Sequence, residues 1–360
     1  MNEQEFIPAD LKNLASSGRT SWRAPSNIAL VKYWGKYPGQ LPANPSLSFT
    51  LSSSATTTNV DFKKHKTAQK SPSFDLLFEG KPNKAFEPKI KLFLDRILPY
   101  VPWSKHYHLN ISTSNSFPHS SGIASSASGM AALSLCIMEF ENTMNPEMSE
   151  EMFFRKASFL SRLGSGSACR SIQGPLVSWG MHSQLSGSSD LYGSEFTGPV
   201  HDIFNDFRDT ILLVHKGAKT VSSTAGHALM EGHPFATQRF AQANKNLSSL
   251  IEVLANGNMD LFIQLVEGEA LTLHAMMMSS TPSYLLMKPN TVAIIEKIWE
   301  FRKKTGVALC FTLDAGANVH LLYPGESAEK VLQFIKNELV VYCEKGQYIC
   351  DVIGPGAEKL

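Results

Sequence analysis

The sequence predicts a mixed α+β fold divided between two domains, on three observations. At 360 residues and 43% hydrophobic composition, the chain exceeds the roughly 250–300 residues at which a single core stops growing. Alternating extended stretches and apolar stripes of helical period follow one another along it without internal repeats. A Ser- and Gly-rich stretch carrying Pro199, residues 181–205, interrupts that alternation and reads as a loop at a domain boundary. The expected division is an N-terminal α+β domain over 1–205 and a C-terminal α+β domain over 206–360, with the last strand able to return to the first domain.

Taken in order, residues 23–33 and 45–60 combine β-branched and aromatic residues, broken by Pro25, Pro42 and Pro45, and read as extended. Helices are expected at about 86–98, 124–141 and 150–162, and YHLNISTS at 107–114 alternates like a half-buried strand. Within the second helix Met130, Leu133, Ile137 and Phe140 recur at helical spacing and form a stripe for burial. A strand, TILLVHKG, opens at Thr210. Phe240, Leu247, Leu250, Ile251 and Leu254 mark an amphipathic helix, and Leu261, Leu265 and Val266 begin another; both are read as core stripes. Ile294, Ile295, Ile298 and Trp299 define a further helix. Its end carries Arg302, Lys303 and Lys304 before Gly306, cations and a left-handed cap residue where the helix dipole favours them. GVALCFTL and VHLLYP then read as strands around the turn DAGAN.

Thirty-three Lys and Arg against thirty-two Asp and Glu leave a formal charge of +1, too balanced for a nucleic-acid or membrane-surface partner recruited by global charge. Anion specificity has to be local. The first residues, MNEQEFIPADLKNL, show no basic segment followed by an apolar one, and no run approaches the about 18 apolar residues that span a bilayer. The expectation is a cytoplasmic protein without a membrane partner. The five cysteines, Cys136, Cys169, Cys310, Cys343 and Cys350, are odd in number and form no CxxC pair, which fits reduced thiols and gives no sign of a structural metal.

The most telling segment is PHSSGIASSASGMAAL, Pro118 to Leu133. Small residues and hydroxyls stand directly before a helix, where unpaired N–H groups favour an anion. Read alone it is equally a Ser-rich cap. Three further segments need the same explanation: APSNIALVKYWGK at 24–36, GSGSACRS at 164–171, and VSSTAG at 221–226 with FTLDAGAN at 311–318. Asp314 at its Gly-containing turn can serve a hydroxyl or simply fix the turn. Arg170 offers a planar fork for a carboxylate and Lys32 a compact charge, though a structural ion pair and a solvated strand lysine are the readings for either residue alone.

Together, and in this order from about residue 22 to 323, these segments resemble the diphosphomevalonate decarboxylases, of the superfamily that holds galactokinase, homoserine kinase, mevalonate kinase and phosphomevalonate kinase. The resemblance implies that superfamily's two-domain α+β fold with the active site in the cleft between domains, the first domain binding nucleotide. It implies ATP as co-substrate with Mg2+, a small-molecule substrate and a homodimer. The implied reaction phosphorylates the tertiary 3-hydroxyl of mevalonate 5-diphosphate, after which phosphate and carbon dioxide leave to give isopentenyl diphosphate. Phosphorylation converts hydroxide into a good leaving group, so the protein has to align, neutralise charge and exclude water. Related readings are a decarboxylase or 3-kinase acting on mevalonate or its monophosphate, or an inactive metabolite sensor.

Carried onto this sequence, the resemblance makes Asp314, Lys32 and Arg170 the catalytic group, the two cations holding Asp314 ionised. Asn27, Tyr33, Trp34, Gly35 and Lys36 become substrate contacts, as do Ser165, Gly166, Ser167, Ala168, Cys169 and Arg170 in a second anion cradle, with Ser223 and Thr224 from VSST. Lys89 stands where the family often has Arg, exchanging a bidentate contact for a point charge. Pro118, Ser121, Gly122, Ala124, Ser125 and Ser126 become the nucleotide seat. Other departures are Ala317 for a frequent Pro, Pro175 for Gly, and His119, Ser120 and Ser121 for Thr and small apolar residues. His119, beside phosphate, reads as a loop residue or a protonation-dependent ATP contact. No metal-ligating side chain is singled out.

Overall fold

The computed structural model describes residues 2–8, 11, 13–118, 123–217 and 221–360. Strand β1 (Ser17–Val31) leads through a small hairpin, β2 (Lys36–Tyr37) and β3 (Leu41–Pro42), into β4 (Ser46–Lys64). β1 and β4 are antiparallel, with register shifts at Pro25/Asn27 and Ala29/Val31. Pro25 has no N–H for the ladder, so pairing is rephased there, and the second shift falls just before Lys32. β5 (Ser73–Phe78) turns into β6 (Lys81–Pro82), and α1 (Glu87–Ile97) brings the chain to β7 (Tyr107–Asn115). β7 lies antiparallel to β4 and parallel to β5.

Helices α2 (Ser125–Met144) and α3 (Glu150–Gly164) follow. Ser149 caps α3 by accepting from the Met152 N–H at 3.2 Å, with Glu150 and Glu151 in the acid-favouring first turn. The three helices cover one face of the sheet. Trp22, Val60, Phe62 and Leu109 are buried against Met130, Leu133, Ile137, Phe140 and Phe159, which places the α2 stripe where its spacing predicted.

β8 (Leu176–Trp179) extends the sheet at β4 and pairs with β9 (Ser194–Glu195). The 181–205 stretch is otherwise largely irregular, yet Tyr192, Phe196 and Phe204 are buried. Its carbonyls are held by side chains: the Trp179 indole N–H donates to Asp190 at 2.9 Å and Arg162 Nε to Leu191 at 2.6 Å.

The second sheet begins with β10 (Phe207–Leu212). It starts before the expected Thr210, because Phe207 and Arg208 already pair with Pro324 and Tyr323, and it stops at Leu212 short of the predicted run. Five helices follow or flank it: α4 (Ser223–Ala228), α5 (Ala236–Asn256), α6 (Met259–Met278), α7 (Pro289–Thr305) and α8 (Ala328–Phe334). With β11 (Cys310–Leu313), β12 (Val319–Pro324) and β13 (Tyr348–Val352), the order is β11-β12-β10-β13. The final strand, β14 (Glu358–Lys359), pairs with β1 in the first sheet.

One face of the second sheet joins α5, α6 and the first sheet in a shared core, where Ile28, Leu47 and Phe49 meet Phe207, Ile211, Leu250 and Val266. The other face packs on α7 and α8 through Ile294, Ile298, Val331 and Phe334. Trp299 departs from the expected stripe. It is 42% exposed and directs its indole N–H to Glu267 at 2.9 Å. Gly306 caps α7 at φ 68°.

All five cysteines are free thiols. Among the described residues no helix is long and apolar enough to cross a membrane, and no group of three or more His, Cys, Asp or Glu could hold a metal ion.

Candidate active site

Where β1 ends, Lys32 to Lys36 form one wall of a cleft of ≈ 1290 Å³, counted out to open solvent; only Gly35 of the five does not line it. The start of α2, the turn after α3, the start of α4 and the β11–β12 turn supply the other walls. Segments far apart in sequence therefore converge because strand ends and helix starts of both sheets open onto one space.

Lys32 Nζ and Asp314 Oδ1 are 3.4 Å apart, the lysine 2% and the aspartate 26% exposed. The backbone around Lys32 is held from both sides. Its N–H donates to Glu269 Oε2 at 2.8 Å, and its carbonyl accepts from Asn44 Nδ2 at 3.0 Å and Arg239 Nη2 at 3.3 Å. Glu269 is itself fixed by Arg239 at 2.5 Å and Asn246 at 2.6 Å. Burial pushes the Lys32 ammonium below its ordinary 10.5, with Asp314 and Glu269 pulling it back up. The Asp314 carbonyl accepts from the Gly316 N–H at 2.6 Å and from His274 Nε2 at 3.2 Å, which fixes the turn around the carboxylate.

Arg170 is buried, and its charge acts on Asp314. Its Nη1 donates to Ser46 Oγ, its guanidinium lies 5.8 Å from the centroid of the Trp179 ring, and its buried Nε has no partner. Arg170 also lines the cleft, where a guanidinium suits a carboxylate. Asn27 donates to the Ser167 carbonyl at 3.1 Å and Ser171 Oγ at 2.8 Å, so it shapes the 165–171 turn as well as lining the cleft.

Two anion seats adjoin. Ala124 precedes α2 at φ 36° and gives it no side-chain cap; its carbonyl takes the Ala127 N–H at 2.7 Å, leaving the Ser125 and Ser126 amides to whatever enters the cleft. Ser126 Oγ meets Ser165 Oγ at 3.2 Å and ties this seat to the Gly164–Ser167 turn. A Cβ on Gly166 would stand 2.9 Å from both Trp179 Cη2 and Tyr33 Oη, so only glycine lets that backbone approach. A second, apolar cavity of ≈ 610 Å³, lined by Leu76, Phe78, Phe86, Ile90, Ile111 and Met130, shares Lys89, Ser125 and Ser126 with the cleft.

Residues 24–191 match the diphosphomevalonate decarboxylase-like N-terminal domain and residues 210–352 the mevalonate 5-diphosphate decarboxylase C-terminal domain. The diphosphomevalonate decarboxylase of Aspergillus fumigatus is 30% identical over 346 residues, covering 89% of this chain and 82% of that one. The chain belongs to the diphosphomevalonate decarboxylase family. Among solved structures, MDDEF in complex with MVAPP, AMPPCP and magnesium is 28% identical, with TM-score 0.80 over 96% of this chain and 99% of that one. Mevalonate diphosphate decarboxylase from Staphylococcus aureus is 25% identical, with TM-score 0.81 over 96% and 98%.

For this family member the cleft gathers Asn27, Lys32, Tyr33, Trp34, Lys36, Lys89, Ser165, Gly166, Ser167, Arg170, Ser223, Thr224 and Asp314, with Ala124, Ser125 and Ser126. Four expected contacts do not line it. Gly35 works through its backbone, at φ +98° with its N–H on His227 Nδ1 at 3.0 Å. Ala168 is buried in the first domain's core and gives its N–H to the Ser165 carbonyl at 2.8 Å. Cys169 is also buried, its thiol on the Gly166 carbonyl at 3.0 Å. Pro118 is exposed away from the lining. Ser121 and Gly122, with His119 and Ser120, lie outside the described residues.

Sequence reasoning also missed residues. His227 lines the cleft and follows Ser223 by four positions on one short helix, a same-face spacing that was readable. Glu269, fully buried in the apolar α6, was signalled by a carboxylate on the stripe Val266–Ala270–Leu273. Gln40, which accepts from Lys36 Nζ at 2.7 Å, left no readable sign.

Proposed function

We infer that the protein catalyses ATP-dependent decarboxylation of mevalonate 5-diphosphate to isopentenyl diphosphate. The observation that carries this is the Asp314–Lys32 pair, 3.4 Å apart, in one cleft with a buried Arg170 and two anion seats. In this reading the γ-phosphoryl group of ATP passes to the 3-hydroxyl, ADP leaves, and Asp314 receives the hydroxyl proton as the new O–P bond forms. Lys32 neutralises charge at the reacting oxygen, and Arg170 holds the carboxylate from the cleft wall. The C3–O bond then breaks with its electrons going to phosphate; the bond to the carboxylate supplies the alkene pair, and carbon dioxide departs.

Ser125 and Ser126 with the uncapped first turn of α2 receive the nucleotide phosphates, and the neighbouring apolar cavity receives the base. Mg2+ would be held largely by those phosphates beside the serine hydroxyls, since no acidic cluster is present among the described residues; bound there, it offsets phosphate charge. Asn27, Tyr33, Trp34, Lys36, Lys89, Ser165, Gly166, Ser167, Ser223 and Thr224 surround the substrate chain, which extends away from Asp314 toward Lys36. The boundary falls at 205/206, with the first domain seating nucleotide. The protein works as a cytoplasmic homodimer, a compartment that suits five free thiols.

Coupled measurement of ATP use and carbon dioxide release with mevalonate, its 5-phosphate and its 5-diphosphate tests the reaction. Equal, stoichiometric ATP use and gas release with the diphosphate is expected; ATP use without gas overturns it in favour of a 3-kinase. Light scattering in solution at twice the chain mass is expected for the dimer.

A further inference from the structure

His227 stands in the cleft lining without a role in the scheme above. Its ring lies between two aromatic neighbours, 4.3 Å from the Tyr33 ring centroid and 4.5 Å from that of Trp34, both tilted by 36°. Gly226 makes this seating possible: a Cβ there would stand 2.7 Å from Trp34 Cη2 and 2.6 Å from Tyr284 Oη, so a side chain would push α4 off the tryptophan. The backbone N–H of Gly35 donates to His227 Nδ1 at 3.0 Å. That bond requires an unprotonated Nδ1 and leaves the ring hydrogen on Nε2.

Burial, then the charges of Lys36 and Arg170, depress the imidazole to about 3. The ring is therefore neutral at any working pH, and Nε2 is a fixed donor. No protein group accepts from it among the described residues, and the half-buried residue lines the cleft, so this N–H opens onto the cleft. A donor locked in one tautomer, between two cations, fits an anion lying along the same wall.

We propose that His227 is a substrate-contacting residue whose Nε2–H donates to the phosphate chain at the end of the substrate remote from Asp314. This rests on the decarboxylase reading, which puts the 3-hydroxyl and carboxylate beside Asp314, Lys32 and Arg170 and sends the diphosphate toward Lys36. His227 also ties α4 to the β1–β2 segment through Gly35, so one ring both orders that wall and reads the ligand on it.

Two substitutions separate these duties. His227→Asn keeps an acceptor at the place of Nδ1 for Gly35 and removes the donor at the reach of Nε2, its shorter amide N–H standing near the place of Cδ2. It should raise KM for mevalonate 5-diphosphate about tenfold, the size of a hydrogen bond to a charged group, with kcat within about threefold and KM for ATP unchanged. An unchanged KM for the diphosphate in a variant with wild-type circular dichroism overturns the proposal, and so does an equal rise for ATP. His227→Phe, filling the space between the rings with neither nitrogen, should weaken binding at least as much. Independently of any variant, titrating the 15N-histidine-labelled wild type with mevalonate 5-diphosphate should move the His227 Nε2 resonance while its neutral tautomer persists; no movement at saturation overturns the contact. A wild type that releases no carbon dioxide from the diphosphate refutes the decarboxylase reading instead, a different result from a wild type that turns over and a variant that is indifferent.

Discussion

In the proposed reaction Asp314 and Lys32 define the chemistry at the scale of single residues, because each changes what the other can do. A carboxylate 3.4 Å from an ammonium is fixed in place beside it, whereas an ammonium 2% exposed keeps its proton less firmly than a surface lysine. Asp314→Asn preserves shape and the turn held by Gly316, so binding of mevalonate 5-diphosphate should survive. Both ATP use and carbon dioxide release should fall by about 10²–10⁴, the range for losing a positioned proton acceptor; steady-state kinetics beside a binding isotherm checks it. The Lys32 shift is downward, and the protonated form is the useful one. Activity is therefore present below its pKa and lost as pH rises through it, so the alkaline limb should lie below the ordinary lysine value of 10.5. A pH profile of kcat tests this, and Lys32→Met should remove the limb along with most of the rate.

Elements do their work by bringing strand ends and helix starts to one place. Gly166 shows how tight that is, with a Cβ due 2.9 Å from the Tyr33 hydroxyl and from Trp179. Gly166→Ala must shift the turn or Tyr33, so KM for the substrate should rise about tenfold, with a destabilisation of about 1–3 kcal/mol from overpacking. Ser149→Ala supplies the contrast, since the Ser149 cap lies at the start of α3 and far along that helix from Gly164. It should cost about 1 kcal/mol in denaturant unfolding and leave kcat and KM alone. Much of this level was legible in the sequence. The α2 stripe, the Gly306 cap and the strands around DAGAN follow from periodicity and end chemistry, because those rules act within a few residues. What did not follow depended on partners elsewhere. Trp299 shares its spacing with the buried Ile295 and Ile298 but stays 42% exposed and reaches the buried Glu267 with its indole N–H. Cys169 and Ala168 sit in a motif of cleft residues, yet the short helix Gly166–Ser171 turns them inward. Glu269 was visible as an anomaly in an apolar stripe, whereas its task of holding the Lys32 backbone is a contact across 237 positions.

The cleft exists only while the two sheets keep their relation, and at the scale of the whole molecule one carboxylate crosses between them. Asp351 on β13 is 3% exposed, and its oxygens accept from the Ser53 and Ser54 N–H groups on β4, each at 2.7 Å. Its strand neighbour Asp209 meets His320 Nδ1 at 2.7 Å within the second sheet. Asp351 therefore closes two amides that no ladder satisfies, on the shared core built from Phe49, Phe207 and Ile211. Asp351→Ala leaves the buried Ser54 N–H without its acceptor, at about 1–3 kcal/mol, while the exposed Ser53 N–H turns to water, so the unfolding midpoint in denaturant should drop by an amount equivalent to roughly 1–3 kcal/mol. The same change loosens the relation between the strand that carries Lys32 and the turn that carries Asp314, since these belong to opposite sheets. Below the unfolding transition, kcat should fall several-fold while binding of ATP alone, whose proposed seat lies on the first sheet and its helices, is retained. Stability lost with kcat unchanged would mean that the shared apolar core holds the sheets in register without this carboxylate.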